Sequence, residues 1–149
     1  MAVRFVPTRS PEPVLGARVL GIDDADEFQM AARVNAGLPP GAVQALARRL
    51  GVPDRYVLAA TDIPESTFHS RRSDGRPLSA EASSRVYRVA RAVEAAIAYF
   101  EGDEEAARRW LTHPKVALGG RAPLEFARTP EGSDYVIALL DRMAHGIVS

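Results

Sequence analysis

Few residues in this chain of 149 are set out for chemistry. There is no cysteine, which excludes disulfides and thiol catalysis. The histidines, His69, His113 and His145, lie far apart, and none has a second histidine at ligand spacing. A zinc site would need His and carboxylates alone, and none is expected. No hydroxyl or amine nucleophile stands beside a base, and no glycine-rich loop is shaped to cradle a phosphate. An enzyme needs a titratable pair in a cleft, and the sequence offers no convincing one. Catalytic residues, metal and cofactor are therefore all expected to be absent.

Binding chemistry is better represented. The formal net charge is zero, so nothing in the whole chain signals nucleic acid. The distribution is uneven, however. Between Arg71 and Arg91 six arginines face only Asp74 and Glu81. Ahead of them Ser66, Thr67, His69 and Ser70 form a polar run, closed by Arg71 and Arg72 with Arg76 just beyond. Short hydroxyl and imidazole groups suit base edges, and guanidinium groups suit phosphates or a guanine edge. The plain alternative is a solvated helix end that complements its own dipole.

Those residues need elements to hold them. Hydrophobic residues make up 46% of the chain and charged ones 26%, a globular balance at a length that suits one domain or two small ones sharing a core. No segment approaches the roughly 20 apolar residues that span a bilayer. Pro7 and Arg9 interrupt the apolar start, so no signal peptide is expected and the chain reads as cytoplasmic. Val3, Phe5 and Val6 suggest a strand, while Pro7, Pro11 and Pro13 suggest an extended arm.

Asp23 or Asp24 should cap a helix that runs to Ala36, with Gly37 as its stop and Phe28, Ala31, Ala32 and Asn35 on one face. Val43, Leu46, Ala47 and Leu50 fit the next helix, ended by Gly51. Pro53 to Ala60 should form a short helix burying Tyr56, Val57 and Ala60. Thr61-Asp62-Ile63 makes a turn, and Pro64 starts a third helix, Glu65 to Arg72, with Phe68 inward. A short helix, a compact turn and a polar helix with a basic end is the helix-turn-helix plan. Ser79 caps the longest helix, to Phe100, apolar nearly all round and therefore central. Asp103 caps a helix closed by Pro114, which turns Trp110 inward. A Gly119-Gly120 turn, a short helix from Pro123 and an apolar helix over Val136 to Met143 complete the chain.

Two stretches carry a resemblance. The run W-L-x-x-P-x-x-A-L-G-G-x-x-P-L from Trp110, then T-x-x-G from Thr129 and V-x-x-L-L-x-R-x-x-x-G from Val136, resembles the C-terminal toxin-binding domain of Xre/MbcA/ParS antitoxins. L-G-V-x-x-x-x-V-L-A from Leu50, I-P-x-S-T-F-x-x-R-R from Ile63 and L-S-x-E-x-S-x-R from Leu78 are similar to the helix-turn-helix of the same family. Lys115 stands where that family usually has Asn, and Phe126 where it usually has Leu.

The resemblance implies an all-α fold: an Xre-like helix-turn-helix bundle fused through a long central helix to a C-terminal helical toxin-binding domain. It implies a DNA-binding region over 38–78 and a toxin-binding domain over 79–149; residues 1–37, an arm and helix outside the match, are left as a candidate dimerisation element. It also implies an antitoxin that blocks the NAD pocket of a RES-domain toxin and represses its own operon, as a homodimer within a toxin–antitoxin hetero-oligomer. Operator contacts then fall to Ser66, Thr67, His69, Ser70, Arg71, Arg72 and Arg76. Toxin contacts fall to Leu118, Gly119, Gly120, Arg121, Arg142, His145, Val148 and Ser149. The rival reading is a stand-alone helix-turn-helix regulator whose C-terminal half dimerises or binds a ligand.

Overall fold

The computed structural model describes residues 14–146. The strand or arm expected before Val14, and the toxin contacts Val148 and Ser149, lie outside them. Among the described residues there are helices and no strand, as expected, with one isolated antiparallel bridge between Lys115 and Arg121. The α-helices are α1 (Glu27–Ala36), α2 (Gly41–Leu50), α3 (Asp54–Ala60), α4 (Glu65–Ser73), α5 (Ala80–Tyr99), α6 (Glu104–Thr112), α7 (Pro123–Phe126) and α8 (Pro130–Ala144). Short 3-10 turns at Arg18–Leu20 and Val116–Leu118 complete the set.

α5 is the axis of the molecule. The Ser79 hydroxyl starts it by accepting the Ala82 amide at 3.1 Å. Val86, Val89, Ala90, Ala92, Val93 and Ala96 are wholly buried, so the helix is apolar on several sides at once. It packs against the first 3-10 turn, α1 and α2 on one side and against α6, α7 and α8 on the other. All of these elements feed one contiguous core. Each fully buried valine there contributes about 1.5–3 kcal/mol relative to exposure, so one helix stabilises both halves.

The remaining boundaries follow local chemistry. Gly51, at φ 73°, ends α2 in the left-handed region that glycine enters without penalty. The Asp103 carboxylate caps α6 through the Ala106 amide at 3.0 Å. The Thr129 hydroxyl caps α8 through the Gly132 amide at 3.0 Å.

Four expectations need correction. α1 starts later than Asp23 or Asp24, because Asp26 and Gln29 form a reciprocal capping box at 2.8 and 2.9 Å. Its buried face is Met30 and Val34; Phe28 is 82% exposed, and Ala31, Ala32 and Asn35 also face solvent. Tyr56 is exposed, and α3 buries Val57, Leu58 and Ala60 instead. Trp110 is half-buried at the margin of the core, where α6 has only Ala107 and Leu111 fully inside. No described helix is long and apolar enough to cross a membrane.

Candidate nucleic-acid and partner interfaces

The first interface is built on the turn between α3 and α4. Thr61 ends α3, and its buried hydroxyl donates to the Val57 carbonyl at 2.7 Å. Asp62 follows with φ 56°, a left-handed conformation uncommon outside glycine. Ile63 then dips into the core and Pro64 precedes α4. Phe68 is the buried side chain of α4. Ser66, Thr67, His69, Ser70, Arg72 and Arg76 are exposed, and Arg71 is half-buried. Ser66, Thr67, Ser70, Arg71 and Arg76 line one shallow depression of about 310 Å³. The structure therefore gathers the sequence-chosen residues on and just after a single exposed helix.

The three arginines differ in what they have left to offer. Arg71 donates to the Pro77 carbonyl at 2.7 Å and so staples the loop that follows α4. Arg76 lies 3.1 Å from the Asp74 carboxylate, which offsets part of its charge. Arg72 sits 5.5 Å above the Phe68 ring, with its guanidinium 3.4 Å from His69 Nδ1. No acid partner of Arg72 occurs among the described residues, so it presents the most available positive charge of the three.

The second interface is the loop between α6 and α7. The Lys115 amide donates to the Arg121 carbonyl at 3.0 Å, and the Gly120 amide returns to the Lys115 carbonyl at 2.9 Å. Gly119 and Gly120 take φ values of 64° and 82°, which closes the loop without strain. Leu118 is only 3% exposed and anchors the loop from beneath, so its role is to hold the turn, with no apolar surface left to offer. Gly119, Gly120 and Arg121 are on the outside.

Sequence reasoning missed Val116, 97% exposed beside the double glycine. An apolar residue inside a short tight turn was the available signal. It also missed Lys115, whose ammonium lies 5.5 Å from the Trp110 ring and covers it. Arg142 and His145 sit at the end of α8. Arg142 stacks 5.6 Å from Tyr135, which meets Phe126 of α7 edge-on at 5.8 Å. His145 Nδ1 lies 2.7 Å from the Asp141 carbonyl. Their own contacts are thus within α8, and the loop holds itself.

A wider depression, about 780 Å³, lies elsewhere, between α1 and α5, with Met30, Val34, Tyr87 and Arg91 in its lining. Burial lifts the Tyr87 phenol above its ordinary 10.0; Arg91 opposes the shift, and Glu27 and Glu94 add to it. Among the described residues no cluster of three or more His, Asp or Glu is placed to hold a metal ion.

With this geometry in view, two family models match. Residues 29–91 match the antitoxin Xre-like helix-turn-helix domain. Residues 95–146 match the antitoxin Xre/MbcA/ParS C-terminal toxin-binding domain. A protein named antitoxin Xre from Photorhabdus laumondii is 30% identical over 148 residues, covering 97% of this chain and 98% of its own. One of the same name from Yersinia enterocolitica is 27% identical over 132 residues, covering 89% of each chain. A third, from Pseudomonas putida, is 29% identical over 126 residues, covering 82% of this chain and 75% of its own.

Proposed function

The chain belongs to the Xre/MbcA/ParS antitoxin family, and from that premise we propose that it neutralises a RES-domain toxin and represses its own operon. Within this reading residues 38–78 bind DNA, residues 79–149 bind toxin, and residues 1–37 serve dimerisation. The observation that carries it is the pairing, on one core, of an exposed polar helix after a helix-turn-helix turn with an exposed glycine loop in the stretch matched to toxin binding.

On the DNA side, Ser66, Thr67, His69 and Ser70 meet base edges in the major groove, and Arg71, Arg72 and Arg76 hold the backbone. Net charge is zero, so non-specific attraction is weak and one short helix gives little affinity. Two copies on a palindromic site, with half-sites about one helical turn or a multiple apart, supply the rest. On the toxin side, Gly119, Gly120 and Arg121, with Arg142 and His145 at the end of α8 and the residues after it, cover the pocket in which the toxin binds NAD. Leu118 holds the loop that does so.

Co-expression with the product of the adjacent gene, followed by co-purification and a measurement of cellular NAD, tests this reading. The expected result is a stable complex and preserved NAD. Toxicity with no complex would overturn it.

A further inference from the structure

Arg85 projects from α5 toward the turn between α3 and α4. Its Nε donates to the Thr61 carbonyl at 2.7 Å, and one terminal nitrogen donates to the Asp62 carbonyl at 3.3 Å. Its other terminal nitrogen lies 3.6 Å from Glu81, one turn earlier on α5. The side chain is 23% exposed, so most of its length is spent against the protein. By charge alone Arg85 belongs to the same basic window as Arg71 and Arg72. By geometry it faces the other way, into the back of the helix-turn-helix.

The two carbonyls it holds belong to the most constrained part of that unit. Thr61 closes α3 and Asp62 carries the left-handed φ of 56° that redirects the chain toward α4. An aspartate tolerates that region better than most L-residues, and the two bonds from Arg85 hold the carbonyls on either side of the change in direction. α4 itself has a single buried side chain, Phe68, and no extensive packing against any other helix. Its orientation therefore depends on the turn that launches it. A planar guanidinium with two donors on consecutive carbonyls fixes both position and direction, which a single-point donor cannot do.

We propose that Arg85 is a positioning residue for operator binding: it locks the turn that sets the angle of α4 and does not touch DNA. The proposal rests on the assignment of α4 as the helix that enters the groove.

The test is a titration of the protein's own promoter fragment by fluorescence anisotropy across a salt series. Full-length parent, Arg85→Ala, Arg85→Lys and Arg72→Ala are compared, with thermal unfolding measured on each. Arg85→Ala should lower affinity about tenfold, the scale of a lost charge-assisted hydrogen bond, at an unchanged salt slope. Arg72→Ala should instead flatten that slope by roughly one unit, as loss of a phosphate contact does. Arg85→Lys keeps the stem and the charge near Glu81 but not the fork, and should fall between parent and alanine variant. It decides the matter if Arg85→Ala does not fold. A reduced slope in Arg85→Ala would make Arg85 a phosphate contact and overturn the proposal. So would parent affinity in Arg85→Ala or in Arg85→Lys. Failure of the parent to bind the promoter at all would overturn the assignment of α4, and the proposal with it.

Discussion

The amide of Leu38 donates to the hydroxyl of Ser83 at 2.7 Å, across 45 residues of sequence. Both residues are buried. This bond ties the segment after α1 to the first turn of α5. Ser83→Ala leaves the Leu38 amide buried without a partner and should cost about 1–3 kcal/mol. Denaturant unfolding of the full chain measures this. A change near zero would mean that water replaces the hydroxyl.

Gly132 lies in the first turn of α8, and a Cβ there would run into the Phe126 carbonyl at the end of α7. Alanine in place of glycine usually stabilises a helix interior by about 1 kcal/mol. Here the sign should reverse, with Gly132→Ala destabilising by about 1–3 kcal/mol as overpacked sites do. Thermal unfolding of the variant decides the sign, and a gain in stability would contradict the close approach of α7 and α8.

Trp110, the sole tryptophan, is half-buried with Lys115 over its ring. Trp110→Ala should therefore cost less than the roughly 3–5 kcal/mol of a fully buried aromatic. In the parent its fluorescence should shift when toxin binds the neighbouring loop. A loss above that range would place the ring deeper than it lies here, and an unchanged spectrum would remove the loop from the interface.

Val116→Asp should leave stability within about 0.5 kcal/mol, because the side chain touches almost nothing. Toxin binding should weaken about tenfold or more, since a carboxylate would have to be desolvated in the complex. Titration calorimetry against purified toxin checks both arms. Full affinity in the variant would show that the exposed valine meets nothing.

Much of the fold was legible because it is written in local chemistry. Ser79 and Asp103 announce helix starts through a hydroxyl and a carboxylate cap, and Gly37 and Gly51 announce stops; α8 starts at Pro130, ahead of the expected Val136, because Thr129 caps it. The near-uniform apolarity of α5 marked it as central. What failed was phase. α1 carries Phe28, Ala31 and Ala32 on one side and Met30 and Val34 on the other. Period alone cannot choose between two apolar faces; the choice falls to packing against α5, which local spacing does not encode. Trp110 failed for a related reason, because a stripe predicts direction but not depth. At the candidate interface the exposed face of α4 was readable, since Phe68 alone was apolar there. The duties of Arg71 and Arg85 were not, because their partners are backbone carbonyls that carry no side-chain signature.

The two family matches end and begin at residues 91 and 95, and both positions lie inside α5. The seam between the part matched to the helix-turn-helix domain and the part matched to the toxin-binding domain is thus a run of continuous helix. Each residue inserted there would swing everything downstream by about 100° and advance it by about 1.5 Å. A crossover at this seam would therefore keep the packing of both halves only if it preserved helical phase. Loop insertions elsewhere drift freely, but a lineage that exchanges halves through this helix has to keep count.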